Sequence, residues 1–185
     1  RERLAGLVDC WLDHLDEQVD ATPLAPRSID LDQCALTLST SGSSGEPKLI
    51  EKTLRQLHNE VQALEHLWGA QLGDSSVIGS VAAQHIYGLL FRVLWPLCAG
   101  RPFVRRAQPF PEDMQLASLA QPAFSWIASP ALLKRMGDNL DWPALRAVRQ
   151  IFSSGGALPT AAAEQLHARL GQWPTEVYGS SETGG

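Results

Sequence analysis

Short runs rich in valine, isoleucine, threonine and aromatic residues alternate with longer segments of helical apolar spacing along almost the whole chain. "CALTLS" reads as a short buried strand that leads into a polar loop and then into the strand-like "LIEK". Leu54, Leu57, Val61, Leu64 and Leu67 follow at helical spacing, and Thr53 with Gln56 stands in capping-box register, so a helix is expected from about Thr53. Downstream, "SSVIGSV" reads as a strand, "IYGLLFRVLWPLCAG" as a largely buried helix and "RPFVRR" as a strand. The segment "PEDMQLASLA" is helical in pattern, "FSWIAS" a strand, and "PALLKRMGDNL" a helix with Pro130 in its first turn. Finally "RQIFSS" is a strand, "TAAAEQLHARLG" a helix closed by Gly171, and "TEVYG" a strand. An amphipathic helix carrying Leu4, Leu7, Val8, Trp11, Leu12, Leu15 and Val19 precedes all of these and ends at Thr22-Pro23. Strands alternating with helices in this way predict an α/β fold, a mostly parallel sheet with helices packed on it.

In such a sheet, ligands sit outside the carboxyl ends of the strands. Three loops of unusual composition fall there: residues 40–48, 153–159 and 179–185. The charge balance narrows the ligand class. Fifteen basic against twenty acidic side chains give a net charge of -5 with no basic stripe, which argues against nucleic acid as a partner. No apolar run approaches membrane-spanning length, and nothing resembles a signal peptide. Cys10, Cys34 and Cys98 are odd in number, far apart and without a C-x-x-C pair, so neither a disulfide framework nor a zinc site is expected, and a reducing, cytoplasmic compartment fits. The chain starts at Arg1 and stops in "GSSETGG", so the expectation is a fragment of a larger protein.

The stretch "LTLSTSGSSGEPKLI" carries the first chemical signal. A P-loop needs G-x-x-x-x-G-K-S/T running directly into a helix. Here Gly42 and Gly45 are too close, Pro47 occupies the place of the second glycine, and Lys48 precedes a strand. A serine-hydrolase elbow, G-x-S-x-G, is one residue too long for Gly42-Ser43-Ser44-Gly45. What fits is a mobile anion clamp: glycines that let the backbone approach oxygens closely, the hydroxyls of Thr40, Ser41, Ser43 and Ser44, and the compact cation of Lys48. The plainer reading is a surface turn, because loops of serine, glycine and proline are common.

"STSGSSGEPK" resembles the phosphate-loop signature of the adenylate-forming enzymes, T-S-G-S/T-T/S-G-x-P-K-G, a superfamily of acyl-CoA synthetases, peptide-synthetase adenylation domains and luciferases. "SSGGALP" resembles the same family's glycine-rich adenine loop, and "VYGSSETGG" its Y-G-x-T/S-E loop. The three stand in the family's order between residue 40 and the end of the chain. "QHIYGLLFRVLWPLCAGRPFV" resembles the family segment in which H-x-x-G precedes a buried helix. More narrowly, the wording resembles the acyl or aryl acid ligases of bacterial aryl-polyene pathways. Leu49 departs from the pattern in place of a glycine, and Ser181 in place of the commoner threonine.

The resemblance implies activation of a carboxylic acid, fatty or aryl, by ATP to an acyl-adenylate, with a thiol of CoA or of a carrier protein's phosphopantetheine as the later acceptor. It implies that Thr40, Ser41, Gly42, Ser43, Ser44, Gly45 and Lys48 grip the phosphates and that Glu182 holds Mg2+. Ser181 would donate to the α-phosphate, with Gly179 and Ser180 beside it, while Gly155, Gly156, Ala157 and Tyr178 frame the adenine. His85 would line the acyl pocket and orient the carboxylate, with Tyr87 and Gly88 nearby. Residues 1–185 would then be part of an N-terminal nucleotide- and acyl-binding domain, and a C-terminal domain with a catalytic lysine is absent from this sequence. Each residue also has an ordinary reading: His85 as a hydrogen-bonded boundary histidine, Tyr178 as packing, Glu182 as a solvated carboxylate. His14, His58, His66 and His167 fit solvated helix faces, and the six tryptophans fit core packing. Two other functions remain alternatives, a non-catalytic nucleotide-binding or scaffold domain and a hydrolase using Ser154 or Ser181.

Overall fold

The structure, a computed structural model, describes residues 28–41 and 47–183. The helix expected over residues 4–19, residues 42–46 and the last two glycines lie outside the described residues, as do the side chains of Ser41 and Pro47. In chain order the strands are β1 (Ala35–Ser41), β2 (Pro47–Thr53), β3 (Ser76–Gly79), β4 (Phe124–Ala128), β5 (Val148–Ser153) and β6 (Thr175–Glu176). The helices are α1 (Leu54–Leu72), α2 (Ile86–Leu89), α3 (Trp95–Ala99), α4 (Pro111–Leu119), α5 (Pro130–Leu133) and α6 (Thr160–Leu170). β3, β4, β5 and β6 pair in that order, all parallel, and helices connect each strand to the next. This is the expected α/β architecture.

Side chains along a strand alternate between the two faces of the sheet. Trp126 and Ile151 therefore point into one cluster with Met114 of α4, Leu132 of α5 and Leu166 of α6. Ile127 and Phe152 point into the other, with Val61 of α1, Tyr87 of α2 and Trp95 of α3. Because helices cover both faces, β3 and β4 are buried at every position and read as continuous apolar runs. Each fully buried phenylalanine contributes about 2–3 kcal/mol of transfer free energy. The buried indole of Trp126 is satisfied: it donates to Ser118 Oγ at 2.9 Å, and that hydroxyl donates to the Met114 carbonyl at 2.7 Å.

Helix ends follow their local chemistry. Thr53 accepts from the Gln56 amide at 3.2 Å while the Gln56 side chain accepts from the Thr53 amide at 2.9 Å, so α1 starts at the expected capping box. Gly171 ends α6 in the left-handed conformation, φ 75°.

Four segments differ from the sequence expectation. "IYGLLFRVLWPLCAG" is two short α-helices joined by a π-helical turn at Leu90–Leu94. Pro96 has no N–H to give the Arg92 carbonyl, and the Trp95 amide reaches back to Leu90 instead. "RPFVRR" contributes only a parallel bridge between Phe103 and Val77, since Pro102 supplies a carbonyl but no donor. The helix at Pro130 stops at Leu133; Met136, Leu140 and Trp142 reach the core from irregular chain, with Trp142 donating to the Gly137 carbonyl at 3.0 Å. The last strand is two residues long.

Candidate functional site

β1 and β2 do not join the parallel sheet. They form an antiparallel hairpin in which Thr40 faces Lys48 and Ser41 faces Pro47. Five residues connect them, too few for the crossover a parallel return needs. The loop at residues 40–48 is thus a hairpin tip and not the end of a parallel strand, which corrects the sequence expectation. Cross-strand partners share a face, so Leu36 and Lys52, Leu38 and Ile50, and Thr40 and Lys48 lie on one side of the ribbon. Leu38 is buried on this side, whereas Ala35, Thr37 and Ser39 on the other are exposed. "CALTLS" is accordingly a half-buried strand.

From this inner side Lys48 reaches Glu182, donating to Oε1 at 2.9 Å. Lys52 donates to the main-chain carbonyl of the same residue at 2.7 Å. The two lysines, four positions apart and hence on one face, hold the side chain and the backbone of one residue behind β6. The Lys48 hydrogen bond, helped by main-chain and Ser180 contacts, keeps the Glu182 carboxyl below its ordinary pKa. Ser180 and Thr183 brace this turn: the Ser180 amide donates to Thr183 Oγ1 at 3.3 Å and the Thr183 amide to Ser180 Oγ at 3.2 Å.

Two adjoining pockets open beside these contacts. The larger, about 530 Å³, lies between Ser154, Gly155, Gly156 and Ala157 after β5 and Val177, Tyr178 and Gly179 after β6. Gly155 has φ 93°, a conformation that side chains rarely adopt, and a Cβ on Gly155 or Gly156 would meet nothing within 4 Å. Glu176 fixes this loop, its carboxylate accepting from the Leu158 amide at 2.8 Å. Tyr178 is fully exposed at the rim, so packing does not account for it. The Ser154 hydroxyl donates to the Val177 carbonyl at 2.8 Å and is not poised as a nucleophile.

The smaller pocket, about 320 Å³, is lined by His85, Tyr87, Gly88, Ser129 and Ser181. His85 is exposed and precedes α2, which does not fit a buried boundary histidine. The Tyr87 ring packs on Phe91 with centroids 4.9 Å apart, and its hydroxyl is buried beside the Ala128 main chain. Burial pushes its pKa up, so it remains a protonated phenol. Gly88 is required by space: a Cβ there would strike the Ala82 carbonyl. Behind this wall the buried Arg92 guanidinium donates to the carbonyls of Val81, Val104 and, at 3.1 Å, Arg105.

Gly155, Gly156, Ala157, Tyr178 and Gly179 thus line the larger pocket and His85, Ser180 and Ser181 the smaller, while Lys48, with Thr40 opposite it, meets Glu182, the residue after Ser181. Gly42, Ser43, Ser44 and Gly45 lie outside the described residues. Lys52, Ser129 and Glu176 were not singled out in the sequence. Lys52 had a signal, since "KLIEK" puts two lysines on one face of a strand. His58 and His66 are exposed, and His167 is half-buried and stacks on Trp173 with centroids 4.1 Å apart. Among the described residues no helix is long and apolar enough to cross a membrane, and no group of three or more His, Cys, Asp or Glu side chains is placed to hold a metal ion.

Comparison with known proteins agrees with the fold. The chain is 36% identical over 177 residues to a 4-coumarate–CoA ligase of Rhodobacter capsulatus, covering 95% of this chain and 43% of that protein. It is 28% identical over 170 residues to the mitochondrial malonate–CoA ligase of Mus musculus, covering 83% and 29%. The chain therefore spans less than half the length of these relatives. Apo MatB from Rhodopseudomonas palustris superposes with a TM-score of 0.76 at 20% identity, over 88% of this chain and 32% of that one. A malonyl-CoA ligase with methylmalonyl-CoA and AMP bound gives 0.74 at 26% identity, over 86% and 35%. The family model described as AMP-binding enzyme matches residues 6–185, and the chain belongs to that family.

Proposed function

We propose that the protein of which these residues form part activates a carboxylic acid with ATP to an acyl-adenylate and passes the acyl group to a thiol, of CoA or of a carrier protein. The observation that carries this reading is the 2.9 Å contact of Lys48 with Glu182 beside the two adjoining pockets. It joins a cation suited to phosphates, a carboxylate suited to a hard metal ion, and room for a nucleotide base next to room for an acid. Both reactants are anions, so a site that neutralises charge and holds them in line is what the reaction needs.

In this reading Lys48, Thr40 and the 41–45 loop bind the β- and γ-phosphates. Ser181 donates to the α-phosphate, and Gly155, Gly156, Ala157 and Tyr178 frame the adenine. His85 orients the acid carboxylate toward the α-phosphorus. Mg2+ is usually bound by one or two carboxylates together with substrate phosphates; Glu182 would hold it, and the ion would neutralise charge on the leaving pyrophosphate. Among the described residues the acid pocket is lined by Val81, Ile86 and Tyr87 together with His85 and Ser129, and by no lysine or arginine. That favours an acyl or aryl acid, in keeping with the aryl-polyene resemblance, over a dicarboxylate whose second charge would need a cation. Residues 1–185 are then part of an N-terminal domain, and a C-terminal domain supplies the catalytic lysine and much of the thiol site. A cytoplasmic setting, where ATP and CoA are at hand, completes the reading.

Pyrophosphate exchange by the full-length protein with a panel of aryl, fatty and dicarboxylic acids tests it. Exchange with an aryl or fatty acid is the expected result. A folded full-length protein that binds nucleotide and exchanges with no acid would leave the scaffold reading in its place.

A further inference from the structure

We propose that Lys52 is a positioning residue of the phosphate site, a fixed anchor that keeps Glu182 against the hairpin when Lys48 lets go. This rests on the reading in which Lys48 serves the phosphates and Glu182 the metal. The inner face of the hairpin is apolar at Leu36, Leu38 and Ile50, and a leucine would serve packing at position 52 equally well. The residue there is a lysine, only 5% exposed. Burying an ammonium group is costly unless its protons are used, and its hydrogen-bond partner among the described residues is the Glu182 carbonyl, 2.7 Å away and 130 positions along the chain.

The two lysines divide the work by what they hold. Lys48 binds a carboxylate from an exposed position, 59% accessible, and phosphate or metal can compete for both partners. Lys52 binds a main-chain carbonyl, which neither titrates nor leaves for a metal. Once Lys48 turns to phosphate and the Glu182 carboxylate turns to metal, the ion pair no longer ties the segment behind β6 to the hairpin. The Lys52 contact still does. With it the carboxylate stays within reach of the site; without it the 179–183 segment is joined to the hairpin through exchangeable contacts alone.

The test uses the full-length protein and the variants Lys52→Met and Lys52→Arg. In nucleotide-free protein, hydrogen exchange at the amides of residues 179–183 should speed up about tenfold in Lys52→Met, the loss of one charge-assisted hydrogen bond. In pyrophosphate exchange its KM for MgATP should rise about tenfold with the KM for the acid unchanged, and Lys52→Arg should recover most of both. A purely structural lysine predicts the opposite: wild-type exchange and KM in Lys52→Met, with an equal or higher melting temperature because an apolar side chain replaces a buried charge. That result would overturn the proposal. Should Lys52→Met fail to fold, Lys52→Gln is read by the same criteria. If the wild-type protein exchanges pyrophosphate with no acid, the ligase reading fails, while amide exchange still decides whether Lys52 anchors the segment.

Discussion

Lys48 and Glu182, 134 positions apart in the chain, meet in a 2.9 Å ion pair that ties the tip of an antiparallel hairpin to the turn behind the last parallel strand. Both side chains are about half exposed, so the pair adds little to folding stability. Its value lies in placing a phosphate-binding cation and a metal-binding carboxylate at one point. Glu182→Gln should therefore lower pyrophosphate exchange about 10²–10³-fold and raise the Mg2+ concentration needed. Its melting temperature should stay within about 2 °C of wild type. Steady-state exchange across a magnesium series, with a thermal melt, checks both halves.

A different carboxylate governs stability. Glu65 on α1 accepts from the Trp95 indole at 2.7 Å and from Arg101 NH2 at 2.8 Å, and it clamps α1 to the turn around α3. The Arg101 hydrogen bond, opposed by burial and aided by Trp95, holds its carboxyl below the ordinary value of 4.5. The folded pKa is thus lower than the unfolded one, so the stabilisation is complete above about pH 4.5 and fades as the pH falls through the folded value. Glu65→Gln should be less stable than wild type by about 1 kcal/mol at pH 7, since the partly exposed carboxylate shares its gain with water. Urea melts should show that gap closing as the pH falls below 4.5.

Arg92 and Gly79 should act on the acid and not on the nucleotide. The guanidinium pins the carbonyl of Val81, four residues before His85, and a Cβ at Gly79 would collide with the Arg92 side chain. Arg92→Lys loses the planar fork that spans three carbonyls, and Gly79→Ala displaces it. Both should raise the KM for the acid about tenfold with the KM for MgATP near wild type, and Gly79→Ala should also cost about 1–3 kcal/mol from overpacking. Equal rises in both KM values would show that Arg92 supports the whole site instead.

What the sequence made legible follows a pattern. The central parallel strands β3, β4 and β5, the capping box at Thr53 and the left-handed stop at Gly171 rest on local signals, apolar period and cap chemistry, and these appear as expected. The misread segments are those in which a distant partner decides. Pro96 forces a π turn whose centre, Arg92, is paired only through carbonyls on other segments. Residues 134–140 leave the expected helix, and Met136 and Leu140 pack in the core from irregular chain. The hairpin had a signal of its own, since the short connection between "CALTLS" and "LIEK" leaves no room for a parallel crossover. Lys52 was passed over because its partner, the Glu182 carbonyl, carries no sequence signature.

The two pockets should also be separable by ligand. Glu176 holds the Gly155–Ala157 loop through the Leu158 amide, and Gly155 has φ 93°. Glu176→Ala frees the loop, and Gly155→Ala strains it by about 1–3 kcal/mol. If this loop receives the base, both changes should weaken adenosine, AMP and ATP alike, by about three- to tenfold. Lys48→Met should weaken ATP by at least tenfold and leave adenosine unaffected, because adenosine has no phosphate for the lysine to meet. Calorimetric titration of the full-length protein with the three ligands reads both patterns. Adenosine affinity that stays unchanged in Glu176→Ala and Gly155→Ala would place the base elsewhere, since a loop that contacts the adenine cannot lose its latch without the bound base registering it.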